Sequence, residues 1–160
     1  LRTRVITGVA CICYVKRDSG TYFLLHKRKG SHGKNTWSVP GGHVDLQEQP
    51  QDAVRREVYE EFGLRLKDLY AAETIVTTHF DENGKSYVTL VYFAEIDEKN
   101  SINVSAEPKI MEPDKCDGIK WCRWGKWGDL KLFSPLENFI HRTWGSVRDI
   151  KFIQENLMLK

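Results

Sequence analysis

Glu57, Glu60 and Glu61 lie three and four positions apart in a chain of 160 residues. On a helix such spacing gathers side chains onto one face, within an arc of about 100°. Like charges at positions 57 and 61 repel by about 0.2–0.5 kcal/mol, and anions in a last helical turn oppose the helix dipole by about 0.3–1 kcal/mol. Two local rules are broken without a local remedy, which is a mark of functional sites. A bound cation removes both penalties. Ligands made only of oxygen suit hard ions, so Mg²⁺ is the expected cofactor, with Mn²⁺ as the alternative. Arg56, four residues before Glu60, is spaced to hold that carboxylate in place. For an isolated E-x-x-E-E run the competing reading is a solvated charged face.

The wider sequence decides between these readings. From Gly42 onward the residues Gly42, Glu48, Arg56, Glu57, Val58, Glu60, Glu61, Gly63 and Leu64 follow the pattern G-x5-E-x7-R-E-U-x-E-E-x-G-U, with U a bulky aliphatic residue. This stretch, 42–64, resembles the signature of the Nudix hydrolases. The resemblance implies an αβα sandwich in which the signature forms a loop, a helix and a loop, and hydrolysis of a diphosphate linked to another moiety. It implies that Glu57, Glu60 and Glu61 ligate metal or activate water, with Glu57 or Glu60 as the base. Arg56 would orient the glutamates, and the carbonyl of Gly41 would complete the metal shell. Lys27 and Arg28, just before a glycine-containing loop, stand where phosphates would be met.

Further segments, "KRKGSHGKNTWSVPGGH", "EPKIMEPDKC" and "LFSPLENF", are similar to a MutT-like branch that includes small nucleoside-triphosphate diphosphatases. That likeness implies hydrolysis of nucleoside triphosphates, including oxidised purine nucleotides, to the monophosphate and pyrophosphate, and a possible homodimer. It also implies that Ser38, His43 and Thr89 line the cleft and that Leu132, Phe133, Ser134 and Leu136 flank the base. Relatives often carry Trp where this chain has Ser134, and the lost stacking area leaves room for another leaving group: an isoprenoid diphosphate, a pterin triphosphate or a capped RNA end. A catalytically silent nucleotide-binding module is the alternative of another class. Intact Arg56, Glu57, Glu60 and Glu61 speak against it.

These residues need a frame to position them. Pro50 suits a first helical turn, Val54, Val58 and Phe62 recur at steps of four, and Gly63 is a natural stop, so a helix is expected over residues 50–62. The runs 7–15 and 21–27 read as a hairpin about "KRDSG", and 69–80 and 86–96 as a second about "DENGK", with Asn83 and Gly84 in its turn. Short strands are expected at "TWSV" and "GIKWCRW", and helices over 134–144 and 147–157. Strands and helices mix without regular alternation, so the fold class is α+β with a mixed sheet. Trp121, Trp124, Trp127 and Trp144 share neither a strand face nor a helix face, so they are assigned to core and cleft packing rather than to a stacking surface.

The totals agree. The length favours one domain over residues 1–160. A net charge of +2 argues for no duplex nucleic acid partner, and no apolar run approaches the ~18 residues that a membrane span requires. The spacing of Cys11, Cys13, Cys116 and Cys122 matches no zinc pattern. Reduced thiols fit a cytoplasmic protein that acts on a small nucleotide or organic diphosphate.

Overall fold

The computed structural model describes residues 4–30, 32–80, 84–101 and 107–158. Its strands are β1 (Val5–Arg17), β2 (Gly20–Arg28), β3 (Trp37–Ser38), β4 (Gly41–His43), β5 (Leu66–Phe80), β6 (Lys85–Ile96) and β7 (Cys116–Cys122). Its helices are α1 (Pro50–Phe62), α2 (Ser134–Arg142) and α3 (Val147–Asn156), with a 3₁₀ turn at Thr143–Gly145. One seven-stranded sheet runs β3-β2-β1-β6-β5, with β4 beside β1 and β7 beside β2. β1 and β6 are parallel from Val5 opposite Ser86 to Tyr14 opposite Glu95. The other pairings are antiparallel, so the sheet is mixed.

Alternation along β1 explains the layering. Val9, Cys11, Cys13 and Val15 point to one face and meet Val54, Val58 and Phe62 of α1. Ile12 and Tyr14 point to the other, where Phe93 of β6 packs with Leu136 and Phe139 of α2 and Ile153 of α3. A strand covered on both faces reads as a nearly continuous apolar run, as this one does. All four cysteines are free and buried. The helix and hairpin expectations hold to within a few residues. α2 ends at Arg142, before the 3₁₀ turn. Gly84 lies in the second turn and Asn83 outside the described residues. β4 is an addition, since Gly41 and Gly42 read as loop; it forms because Gly8, Val9 and Ala10 pair with His43, Gly42 and Gly41. Trp144, assigned to packing, is 67% exposed; it lies in the 3₁₀ turn, which buries Thr143 instead.

Two local devices fix α1 and β5. Gly63 ends α1 at φ +69°, its N–H donating to Tyr59 O at 2.8 Å. The last carbonyls of α1 are then met from a distant loop: Lys109 N–H donates to Phe62 O and Met111 N–H to Glu61 O. In β5 the ladder to β6 shifts register between Ala71 and Ile75. The amides of Glu73 and Thr74 and the Thr74 hydroxyl donate instead to the fully buried carboxylate of Asp149, at 2.8, 2.7 and 2.6 Å. Asp149 in turn sits in the first turn of α3, its N–H received by the Ser146 cap. No described helix is long and apolar enough to cross a membrane.

Candidate active site

Arg56 organises the signature. Its Nε and Nη2 donate to the two oxygens of Glu48 at 2.8 and 3.0 Å, a bidentate pair. Nη1 reaches Glu57 at 2.8 Å and Glu60 at 3.3 Å, and Nη2 also donates to the backbone carbonyl of His43 at 3.0 Å. Glu48 accepts the Asp45 N–H at 3.0 Å, which closes the loop between β4 and α1. One guanidinium thus ties helix, loop and strand together. It holds the carboxyl of Glu48 down at about 2, while its own protonation is reinforced by Glu48 and Glu57.

The glutamates divide. Glu57 and Glu61 line a cavity of about 660 Å³. Glu60 is not among its lining residues; its side chain is 52% exposed. Glu61 accepts the Gly41 N–H at 3.0 Å, yet burial, and after it the charge of Glu57, pushes its pKa up to about 8. Burial raises that of Glu57 as well, against the pull of Arg56. A Cβ on Gly41 would strike the Val9 backbone carbonyl, so glycine is required there, and one on Gly42 would push the Glu57 carboxylate aside. Among the described residues no three acidic, histidine or cysteine side chains already converge on one point, because Glu57 is drawn to Arg56 and Glu61 to the Gly41 N–H. The donors present nonetheless fit a hard divalent ion. They are oxygens, and burial keeps the pKa values of both neighbouring carboxylates raised in spite of Arg56 beside Glu57.

Of the other expected residues, Arg28, Ser38, His43, Thr89, Phe133 and Leu136 line the same cavity. Arg28 stacks its guanidinium 3.9 Å from the centre of the Phe133 ring and donates from Nε to the His32 carbonyl. Lys27, Leu132 and Ser134 are not among the lining residues. His26 and Arg28, two apart on β2, face the cleft and Lys27 between them does not. Leu132 bridges to Trp37, and Ser134 is exposed at the start of α2.

The cavity also contains residues that the motif does not specify. Glu112 lines it, adds its charge to that of Glu57 and Glu61, and is paired with Lys115 at 3.0 Å. Its position depends on the loop that caps α1, a contact 50 residues away in sequence (Met111 to Glu61). His26, Thr78, Lys85 and Tyr87 join the lining from β2, β5 and β6. His26 is buried and donates from Nε2 to the Val39 carbonyl at 3.2 Å, and burial lowers its pKa to about 4.

Comparison with known proteins agrees with this geometry. The chain is similar to the diphosphoinositol polyphosphate phosphohydrolase NUDT4B of Homo sapiens, 32% identical over 113 residues, 69% of this chain and 59% of that protein. It is 36% identical to the putative 8-oxo-dGTP diphosphatase 3 of Mycobacterium tuberculosis over 80 residues, 47% of this chain and 37% of that one. The chain therefore spans about three fifths, or less, of the length of these relatives. Among solved structures, the MutT NUDIX hydrolase from Burkholderia pseudomallei superposes with a TM-score of 0.69 at 26% identity, covering 86% of this chain and 97% of that one. The NUDIX domain pattern matches residues 6–142, a span that includes the signature helix, the sheet and α2, and the chain belongs to the NUDIX domain family.

Proposed function

We propose that this protein hydrolyses nucleoside triphosphates, oxidised purine nucleotides among them, to the monophosphate and pyrophosphate in a reaction that depends on Mg²⁺. The observation that carries this reading is the continuity of one cavity. It runs from the carboxylates of Glu57 and Glu61 to a part walled by Val91, Leu136 and Phe139, so an anionic tail and an apolar ring fit at the two ends of one ligand.

Glu57 and Glu61 would hold the divalent ion beside the Gly41–Gly42 turn. Bound there, the ion supplies charge neutralisation at the phosphoryl oxygens and polarisation of water. The chain's own residues do the rest. Arg56 keeps Glu48, Glu57 and the His43 carbonyl in register, so the helix and the turn move as a unit. Arg28 faces Glu61 across the cavity and meets the phosphates, its plane held by Phe133. Water attacks phosphorus, the anhydride P–O bond breaks toward pyrophosphate, and a carboxylate takes the proton. Glu57, which lines the cavity, is better placed for that proton than exposed Glu60.

Diphosphoinositol polyphosphates, named for the Homo sapiens relative, support a second reading of the same chemistry. The lining argues for the nucleotide. Three cations, Arg28, Lys85 and Lys115, face four acids, Asp45, Glu57, Glu61 and Glu112, and Lys115 is already paired with Glu112. A ring bearing phosphates on every side needs a surplus of cations, which the described residues of this cavity do not supply. The test is a panel of nucleoside triphosphates, oxidised purine nucleotides, a diphosphoinositol polyphosphate and organic diphosphates, incubated with Mg²⁺ and resolved by chromatography. Nucleoside monophosphate and pyrophosphate are the expected products. Turnover of the inositol compound with every nucleotide untouched would replace the first reading with the second.

A further inference from the structure

The hydroxyl of Thr78 is buried and has no hydrogen-bond partner, and the residue, 5% exposed, lines the cavity. Folding pays for such a group unless something satisfies it. Valine would fill the same volume on a β-strand without that cost, so a hydroxyl kept here calls for a ligand.

Its place in the sheet says what ligand. Thr78 is opposite Tyr87, and Val76, two residues earlier on the same face, is opposite Thr89, which pairs with Gly8. Val91 pairs with Ala10 one step further on. The floor therefore consists of two small residues on β1, Thr89 and Val91 on β6, and Thr78 on β5, about 10 Å across two strand spacings. Gly8 adds no side chain to the floor, where a Cβ would sit in ordinary contact, 3.5 Å from the Thr89 hydroxyl. Phe133, Leu136 and Phe139 stand over it from α2 and its approach. The result is a slot with apolar walls and a hydroxyl on β5, the strand farthest from β4 and the α1 carboxylates beside it.

The geometry points to Thr78 as a specificity-determining residue that hydrogen-bonds the edge of a nucleobase lying flat between the sheet and α2. This rests on the nucleotide reading above and deepens it. A hydroxyl both donates and accepts, so it can meet an amino or a keto group on the ring. An inositol phosphate has no flat apolar ring to fill the slot.

Binding tests this without turnover. Adenosine and guanosine 5′-monophosphate are titrated into the full chain in EDTA, with ribose 5-phosphate as the probe that lacks a base. The wild type is expected to bind the nucleotides more tightly than ribose 5-phosphate. Thr78→Val should weaken nucleotide binding roughly fivefold, the effect of one lost hydrogen bond, leave ribose 5-phosphate unchanged, and melt at the same temperature or higher. Thr78→Ser should bind as the wild type does. Equal affinity for nucleotide and ribose 5-phosphate in the wild type overturns the inference. So does a Thr78→Val protein that binds nucleotide undiminished, or one that fails to fold, which would mean that the hydroxyl was satisfied internally. A wild type that binds nucleotides through the base but hydrolyses no triphosphate would remove the proposed activity and leave the slot standing.

Discussion

Arg56 serves two oxygens of Glu48, one of Glu57, one of Glu60 and a backbone carbonyl at once. Lysine keeps the charge but cannot form the planar fork. Arg56→Lys is therefore expected to lower kcat/KM by about 10–100-fold, as losses of supporting bonds around a metal site do, and to raise the Mg²⁺ concentration needed for half-maximal rate. A metal titration of the rate reads both. At Glu61 the expected signs differ between activity and stability. Glu61→Gln removes an anionic ligand and should reduce turnover on the order of 100-fold or more. It also removes a buried charge, so without metal at pH 8 the variant should melt above the wild type. Undiminished hydrolysis in Glu61→Gln would show that this carboxylate is not part of the machinery.

The buried Asp149 carboxylate joins α3 to the shifted part of β5 through three short hydrogen bonds. Asp149→Ala leaves two β5 amides unsatisfied and should cost about 3–5 kcal/mol. Hydrogen exchange should accelerate first at Glu73, Thr74 and along α3, with α1 protected until global unfolding. Uniform loss of protection would contradict a local clip. Such a device cannot be read from the chain beforehand. Asp149 in "VRDIKF" is an ordinary first-turn acid, and its partner lies more than 70 residues away in sequence. By contrast α1 was legible to the residue, because Pro50, the valines and Gly63 act through neighbours on the same helix. The short β4 was not, since two glycines give no periodicity and the strand exists through its pairing with β1. Glu112 escaped for the same reason: nothing in "EPKIMEPDK" reveals that the loop folds back onto the end of α1.

At the scale of the molecule, opposed titrations shape stability. The folded chain keeps on Glu61 a proton that the unfolded chain releases near 4.5; this contribution is complete below that value and is lost as pH rises to about 8. His26 acts in reverse. Burial keeps it neutral down to about 4, so its contribution is present above 6.5 and is lost as pH falls toward 4. Glu48, held down to about 2 by Arg56, adds a loss as pH drops below 4.5. In EDTA, Tm should vary little between pH 4.5 and 6.5, fall toward pH 8 and fall again in acid. Glu61→Gln should abolish the alkaline fall. A wild-type Tm that climbs from pH 6.5 to 8 without metal would refute the assignment.

The cavity draws its lining from both apolar layers, with Val9 belonging to the cluster under α1 and Val91, Leu136 and Phe139 to the one under α2 and α3. Whatever lodges there works like a rivet through a laminate. Its presence should slow the opening of both layers together, so saturating occupancy should merge any separate thermal steps into one.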